Sequence, residues 1–301
     1  MTGAPFLLLC IQVPMTAQDV RVVVTPAETM FVALSGVGEP VVLVPGLLGG
    51  SYGFRKVVPL LNDDGFRTHV VELLGTGQSS RPRAADYSLE AQAGRVAAVM
   101  DSLNVTRAII VAHAIGGSIA ARLAARRPDL VDGLVLIEGG TAESATTPGF
   151  RRAMRFTPLI RILGVGKVRG RIREQLIAAS GDASWVEPGV VEAYTADAAR
   201  DLGATLSVLR AMSASRDRDS IGIRLPGIHA SVLLLLGGAP HAGGPPATEI
   251  ELMTRSLPDF VADTLSGVGH FPHEESPGSV RSAVLRVRQS RVSMMRLRPT
   301  G

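Results

Sequence analysis

Cys10 is the only cysteine, so neither an internal disulfide nor a thiolate metal cluster can form within the chain. Aromatic residues make up 4% of the 301 residues, and lysine occurs only at Lys56 and Lys167. Without basic clusters interleaved with aromatics, nucleic acid is excluded as a partner. The net charge of +4 comes from arginines spread over a solvated surface. Gly75-Thr76-Gly77 lacks the further glycine spacing of a dinucleotide fingerprint. No phosphate-binding loop, metal cluster or organic cofactor is indicated, and there is no internal repeat. What the chain does have is apolar content: 46% hydrophobic against 19% charged, enough to bury a full core and to exclude disorder.

The amino terminus carries an apolar run, residues 5–13, too short to cross a bilayer. Followed by Pro14-Met15-Thr16-Ala17 and Gln18, it has the outline of a secretory signal cut after Ala17. No Lys or Arg precedes the run, however, and Met15 rather than a small residue stands three positions before the cut. Export through residues 1–17 to a secreted or periplasmic location is one expectation. A cytoplasmic protein with a strand-leading tail is the other.

Beyond residue 18, short β-branched runs alternate with helical spacing. Residues 20–24 and 29–34 predict an opening hairpin, and 41–44 a strand buried on both faces. The Gly-rich segment 45–50 opens a helical pattern through Leu61. Strands are expected at 68–73, 109–111, 134–137, 231–236 and 260–265, with helices at 89–103, 118–127, 247–257 and 277–288. Residues 141–227 hold no convincing strand; helical stretches at 150–163, 169–180 and 190–212 predict a helical cap. Strands alternating with helices imply an α/β architecture with a mostly parallel sheet. The expected organisation is a core of 18–140 and 228–288, interrupted by the cap 141–227 after the strand ending near Ile137. A loosely held tail, 289–301, follows.

The most informative stretch is 107–120. The run Ile109-Ile110-Val111 breaks at Ala112-His113-Ala114 and enters an Ala-rich helix. In a strand–elbow–helix unit of this kind the turn residue is lifted into a strained, exposed position suited to nucleophilic attack, and its neighbours must be small. Ala112, Gly116 and Gly117 are small as required. The turn residue is Ala114, and a methyl group cannot attack.

Four stretches in register resemble the α/β-hydrolase superfamily in its capped, small-molecule branch. They are Pro45-Gly46-Leu47-Leu48, the segment from Glu72 through Ser79, Ala112 through Gly117, and Gly267-Val268-Gly269-His270-Phe271. The resemblance covers about residues 30–288 and implies the roles that follow. Ala114 occupies the nucleophile position. His270, in a Gly-flanked loop after the last strand, is the base, a task that suits an imidazole titrating near neutrality. The loop after strand 231–236 usually supplies the orienting acid, but residues 237–244 contain none. Some members take it from the preceding strand end, which makes Glu138 the acid; Glu249, inside a helix, fits poorly. The oxyanion donors are the amides of Leu47 and Ile115. Pro45 stands where a histidine is often found, and removes neither donor. His113 packs beside the elbow, and His273 is read as incidental. Ser51, Ser79 and Ser118 lack the elbow's geometry as substitute nucleophiles.

The implied function is that of an ester or lactone hydrolase by descent, acting on a small apolar carbonyl compound; the Leu, Ile, Val and Met content of the cap motivates the apolar partner. With Ala114 in place, the chain is either inactive by Ser→Ala knockout or works through a His270–Glu138 base. The alternatives are a lyase or cyclase using the same dyad, and a ligand-binding pseudoenzyme. No cofactor or metal is expected, and oligomeric state is left open.

Overall fold

The computed structural model describes residues 17–143, 157–214 and 216–297, and side chains at 157–164, 213 and 291–297 are outside that description. The signal-like segment up to Thr16 and the first part of the helix expected at 150–163 lie outside the described residues. Eight strands form one sheet: β1 Gln18–Thr25, β2 Glu28–Ser35, β3 Glu39–Val44, β4 Phe66–Val71, β5 Ala108–His113, β6 Val131–Ile137, β7 Ser231–Gly237 and β8 Phe260–Leu265. Their spatial order is β1-β2-β4-β3-β5-β6-β7-β8. β2 runs antiparallel to β1 and β4; every other pairing is parallel.

Parallel strands carry helices on both faces, so their sequences read as unbroken apolar runs rather than alternating ones. All six residues of β5 and all seven of β6 are buried. Successive side chains point to opposite faces. Ile110, Ala112, Leu134 and Leu136 join one core, with α2 Leu89–Ser102, α3 Ile115–Arg126 and part of α8 Ala247–Ser256. Ile109, Val111, Val135 and Ile137 join the other, with α1 Val57–Asp63 and α10 Pro277–Leu297. Leaving β3 the chain turns toward β4; leaving β5 it turns the other way, toward β6. Such a switch point opens a crevice at the carboxyl ends of the strands, where open α/β sheets place their sites. The β3 loop and the Ala114 elbow both emerge there.

Between β6 and β7 the described residues form only helices and short 3-10 turns: α4 Thr157–Ala178, α5 Pro188–Tyr194, α6 Ala196–Arg200 and α7 Leu202–Ala214. Two extents differ from expectation. α4 passes unbroken through Gly164 and Gly166, where a break was expected, while the stretch 190–212 is divided in three. Helix propensity of single glycines is a weak, roughly 1 kcal/mol effect that a longer helix absorbs. At the carboxyl end the tail expected from residue 289 is instead a continuation of α10 to Leu297.

Candidate functional site

Ala114 follows β5 at φ 50° and ψ −119° and is the N-cap position of α3, so the elbow has a strained backbone. Close approach enforces it. A Cβ on Gly116 would lie 2.5 Å from the Val44 carbonyl oxygen, and one on Gly139 2.2 Å from the Ala114 carbonyl oxygen. Only glycine fits at either place. The Ala114 amide is held by the Ile137 carbonyl at 2.9 Å. Ile115 opens α3, and Leu47 lies in the β3 loop, whose Gly46 sits against Ala114 and His113. Glu72 supports that loop from beneath, accepting hydrogen bonds from the amides of Ser51 at 2.8 Å and Gln78 at 2.6 Å.

Glu138 follows β6 at φ 48°. Its side chain is almost fully buried, and three donors converge on it: the Gly237 amide on Oε1, and His241 Nε2 at 2.8 Å and His270 Nδ1 at 3.3 Å, both on Oε2. Burial works to raise this carboxyl, but the bonds from His270, Gly237 and His241 outweigh it and hold the group below its ordinary value. Glu138 and His270 are thus brought together as paired groups.

His113 is buried beside the elbow and its Nε2–H donates to the His270 carbonyl at 3.0 Å, tying the elbow to the His270 loop. Burial, followed by the neighbouring His273 and His270, pushes it well below the usual histidine range. His273, read from sequence as incidental, is a fully enclosed ring 4.3 Å from that of His113, lowered to about 3 chiefly by burial. Ser118 and Ser79 are buried and committed to backbone: Ser118 Oγ to the Gly140 carbonyl at 2.9 Å, Ser79 Oγ to the Glu72 carbonyl at 2.8 Å. The Glu249 carboxylate packs against Gly140, not His270.

The helical insertion grips the His270 loop directly. The His270 amide donates to the Ala179 carbonyl at 2.7 Å, and Phe271 packs on Trp185 with ring centroids 5.1 Å apart. Glu275, in α9 Pro272–Glu275, accepts from the amides of Gly181, Asp182 and Gly269, joining insertion and loop through one carboxylate.

His241 went unnoticed in the sequence because a lone histidine in a Gly/Pro-rich loop carries no pattern. One signal was available: it is the only titratable residue in the loop that, by resemblance, should hold the acid. Glu138, His241 and His270 hold their nearest side-chain atoms within 4.8 Å of one another, joined by the two contacts onto Oε2. A separate cavity of about 370 Å³ opens between residues 81–87 and α7; Arg81, Arg83, Tyr87, Asp201 and Val208 line it, and Ala114, Glu138 and His270 do not.

Comparison with known proteins agrees with this fold. A family model for the alpha/beta hydrolase fold matches residues 39–159. A haloalkane dehalogenase of Mycolicibacterium paratuberculosis is 35% identical over 141 residues, which is 44% of this chain and 47% of that protein. An uncharacterized protein of Mycobacterium tuberculosis is 27% identical over 260 residues, 81% of this chain and 73% of that one. The chain spans about half the length of the first curated relatives it matches. Among solved structures, the epoxide hydrolase CorEH superposes with a TM-score of 0.75 at 18% identity, covering 91% of this chain and 99% of that one. The chain has the α/β-hydrolase fold, as the family model over 39–159 and the structural neighbours show.

Proposed function

We propose that this chain is a hydrolase-fold enzyme that acts on a small apolar ester, lactone or related carbonyl compound without forming a covalent intermediate. His270 takes a proton from water through Nε2, while Glu138 on Nδ1 fixes its tautomer and balances the imidazolium that forms. The amides of Leu47 and Ile115 hold the developing oxyanion. The methyl group of Ala114 leaves the place of a side-chain nucleophile to the attacking water. The reading is carried by the Glu138–His270 pair, retained beside an elbow that keeps its backbone but not its nucleophile. Relatives named for dehalogenation and epoxide opening support a hydrolase ancestry. They do not name the substrate.

The test is turnover of short acyl esters and lactones by the chain and two variants. His270→Ala should lose roughly 10²–10⁴ in rate. Ala114→Ser should introduce a burst of acyl-enzyme that the parent lacks. A parent whose rate is indifferent to His270 would sink the reading. Ligand binding with no turnover by either parent or Ala114→Ser would favour the pseudoenzyme. A parent without turnover but a fully active Ala114→Ser would mark Ala114 as a knockout.

A further inference from the structure

His241 has no part in the reaction just described, yet its hydrogen bonds fix its charge. Nδ1 lies 2.7 Å from the Ala239 carbonyl oxygen, and Nε2 lies 2.8 Å from Glu138 Oε2. A carbonyl oxygen only accepts, so Nδ1 carries a proton; a carboxylate oxygen only accepts, so Nε2 carries one too. A neutral ring would aim a lone pair at one of these oxygens. The proton does not belong to Glu138 instead: its carboxyl is held below its ordinary value, and the Gly237 amide donates to its Oε1.

The loop that carries His241 also covers the base. At Gly243, φ +113°, a Cβ would lie 3.1 Å from Cε1, 3.2 Å from Nδ1 and 3.4 Å from Nε2 of His270, so the backbone crosses the face of that ring. At Gly244 a Cβ would lie 2.5 Å from Glu138 Oε2. The segment 241–244 thus wraps the Glu138–His270 pair and is pinned to it by one side chain.

We propose that His241 is a positioning residue, held as an imidazolium, that staples the loop between β7 and α8 to Glu138 and so keeps Gly243 against the ring of His270. The proposal deepens the reading of His270 as base and rests on it. The groups that face His241 are Glu138 from the end of β6, His270 from the loop after β8, and Glu275 from α9. Burial works to lower His241, but the bonds to Glu138 and Ala239 and the charges of Glu138 and Glu275 raise it above its ordinary value. For a raised histidine the stabilisation is fully present below about pH 6.5 and is lost as pH rises through the folded-state value. The staple therefore lets go on the alkaline side, and the turnover number should fall there with it.

The experiment is ¹⁵N-histidine NMR on the full chain across neutral pH, with His241 assigned by its disappearance in His241→Gln. Near pH 6.5 both ring nitrogens of His241 should be protonated, and the ring signals of His270 should shift in His241→Gln and in His241→Ala. In turnover, His241→Ala should lose about 10²-fold in kcat, the scale of a misplaced base. His241→Gln, which keeps a donor to Glu138, should recover most of that rate without the alkaline fall. A bare nitrogen on His241 near pH 6.5, or His270 signals indifferent to both substitutions, overturns the proposal. So does an alkaline fall that survives in His241→Gln. None of these readouts is the one that tests His270 as base, which is the rate of His270→Ala.

Discussion

The elbow at Ala114 and the corner at Glu138 each hold a non-glycine residue at positive φ, 50° and 48°, and they preserve opposite things. At the elbow the backbone is intact and the side chain has no chemistry. At the corner a buried carboxylate is shared by two histidines, one more than the proposed reaction needs. Backbone held in this region costs about 1–3 kcal/mol and persists only where the surroundings over-determine it. Around Ala114 that work is done by backbone: the Ile137 carbonyl on its amide, and Gly46, Gly116 and Gly139 at contact distance. Around Glu138 it is done by polar partners on the carboxylate as well as the Leu235 carbonyl on its amide. A main-chain geometry fixed by close packing does not depend on which side chain it presents. A carboxylate fixed by hydrogen bonds can come from any loop whose donors reach it.

The sharpest way to break the comparison is Glu138→Ala, which leaves two imidazoles without their acid; kcat should fall by roughly 10³–10⁴, the scale for losing a triad carboxylate. A rate within tenfold of the parent would mean that the corner does not serve the reaction. Gly139→Ala attacks the elbow instead. Its methyl group would sit 2.2 Å from the Ala114 carbonyl, and urea denaturation should show a loss of about 3 kcal/mol.

The histidines on the two sides should respond to pH in opposite senses. His113 and His273, on the elbow side, are held neutral well below the ordinary histidine range, His273 at about 3. The unfolded chain takes up protons below about pH 6.5 that the folded chain refuses, so each can remove up to about 1.4 kcal/mol of stability per pH unit on acidification. Urea midpoints measured at successive acidic pH values should show this slope, and His273→Phe should reduce it. An unchanged slope would show that His273 charges readily in the fold. His241 acts the other way, its contribution fading as pH rises. The smallest effect is expected from Ala114→Gly, which relieves positive-φ strain and should add about 1 kcal/mol.

Much of the fold was legible because it is written locally. The β5 run, the break at Ala114 and the glycines at 116 and 117 announce a strand, a tight turn and a helix that must approach closely, and the 2.5 Å limit at Gly116 is the physical content of that pattern. Glu138 was reachable as a strand-end acid because the loop 237–244 has none. Its carboxylate meets His270 because β6, β7 and β8 lie side by side in the sheet, so the ends of β6 and β8 are one strand apart. The burial of His273 was not legible, because three residues of spacing say nothing about it; in the fold its ring packs, tilted, against that of His113.

By itself, then, the sequence determined the α/β class, the parallel strands buried on both faces, and an elbow without a nucleophile. Each depends on residue type and short-range spacing. Only the tertiary structure decided that Glu138 is shared by two histidines, from positions 103 and 132 residues further along the chain, and that the helical insertion grips the His270 loop at Ala179 and Gly181. Hydrogen bonds across such separations are set by strand order and loop path, and hydrogen-bond distance is a property that no local pattern encodes.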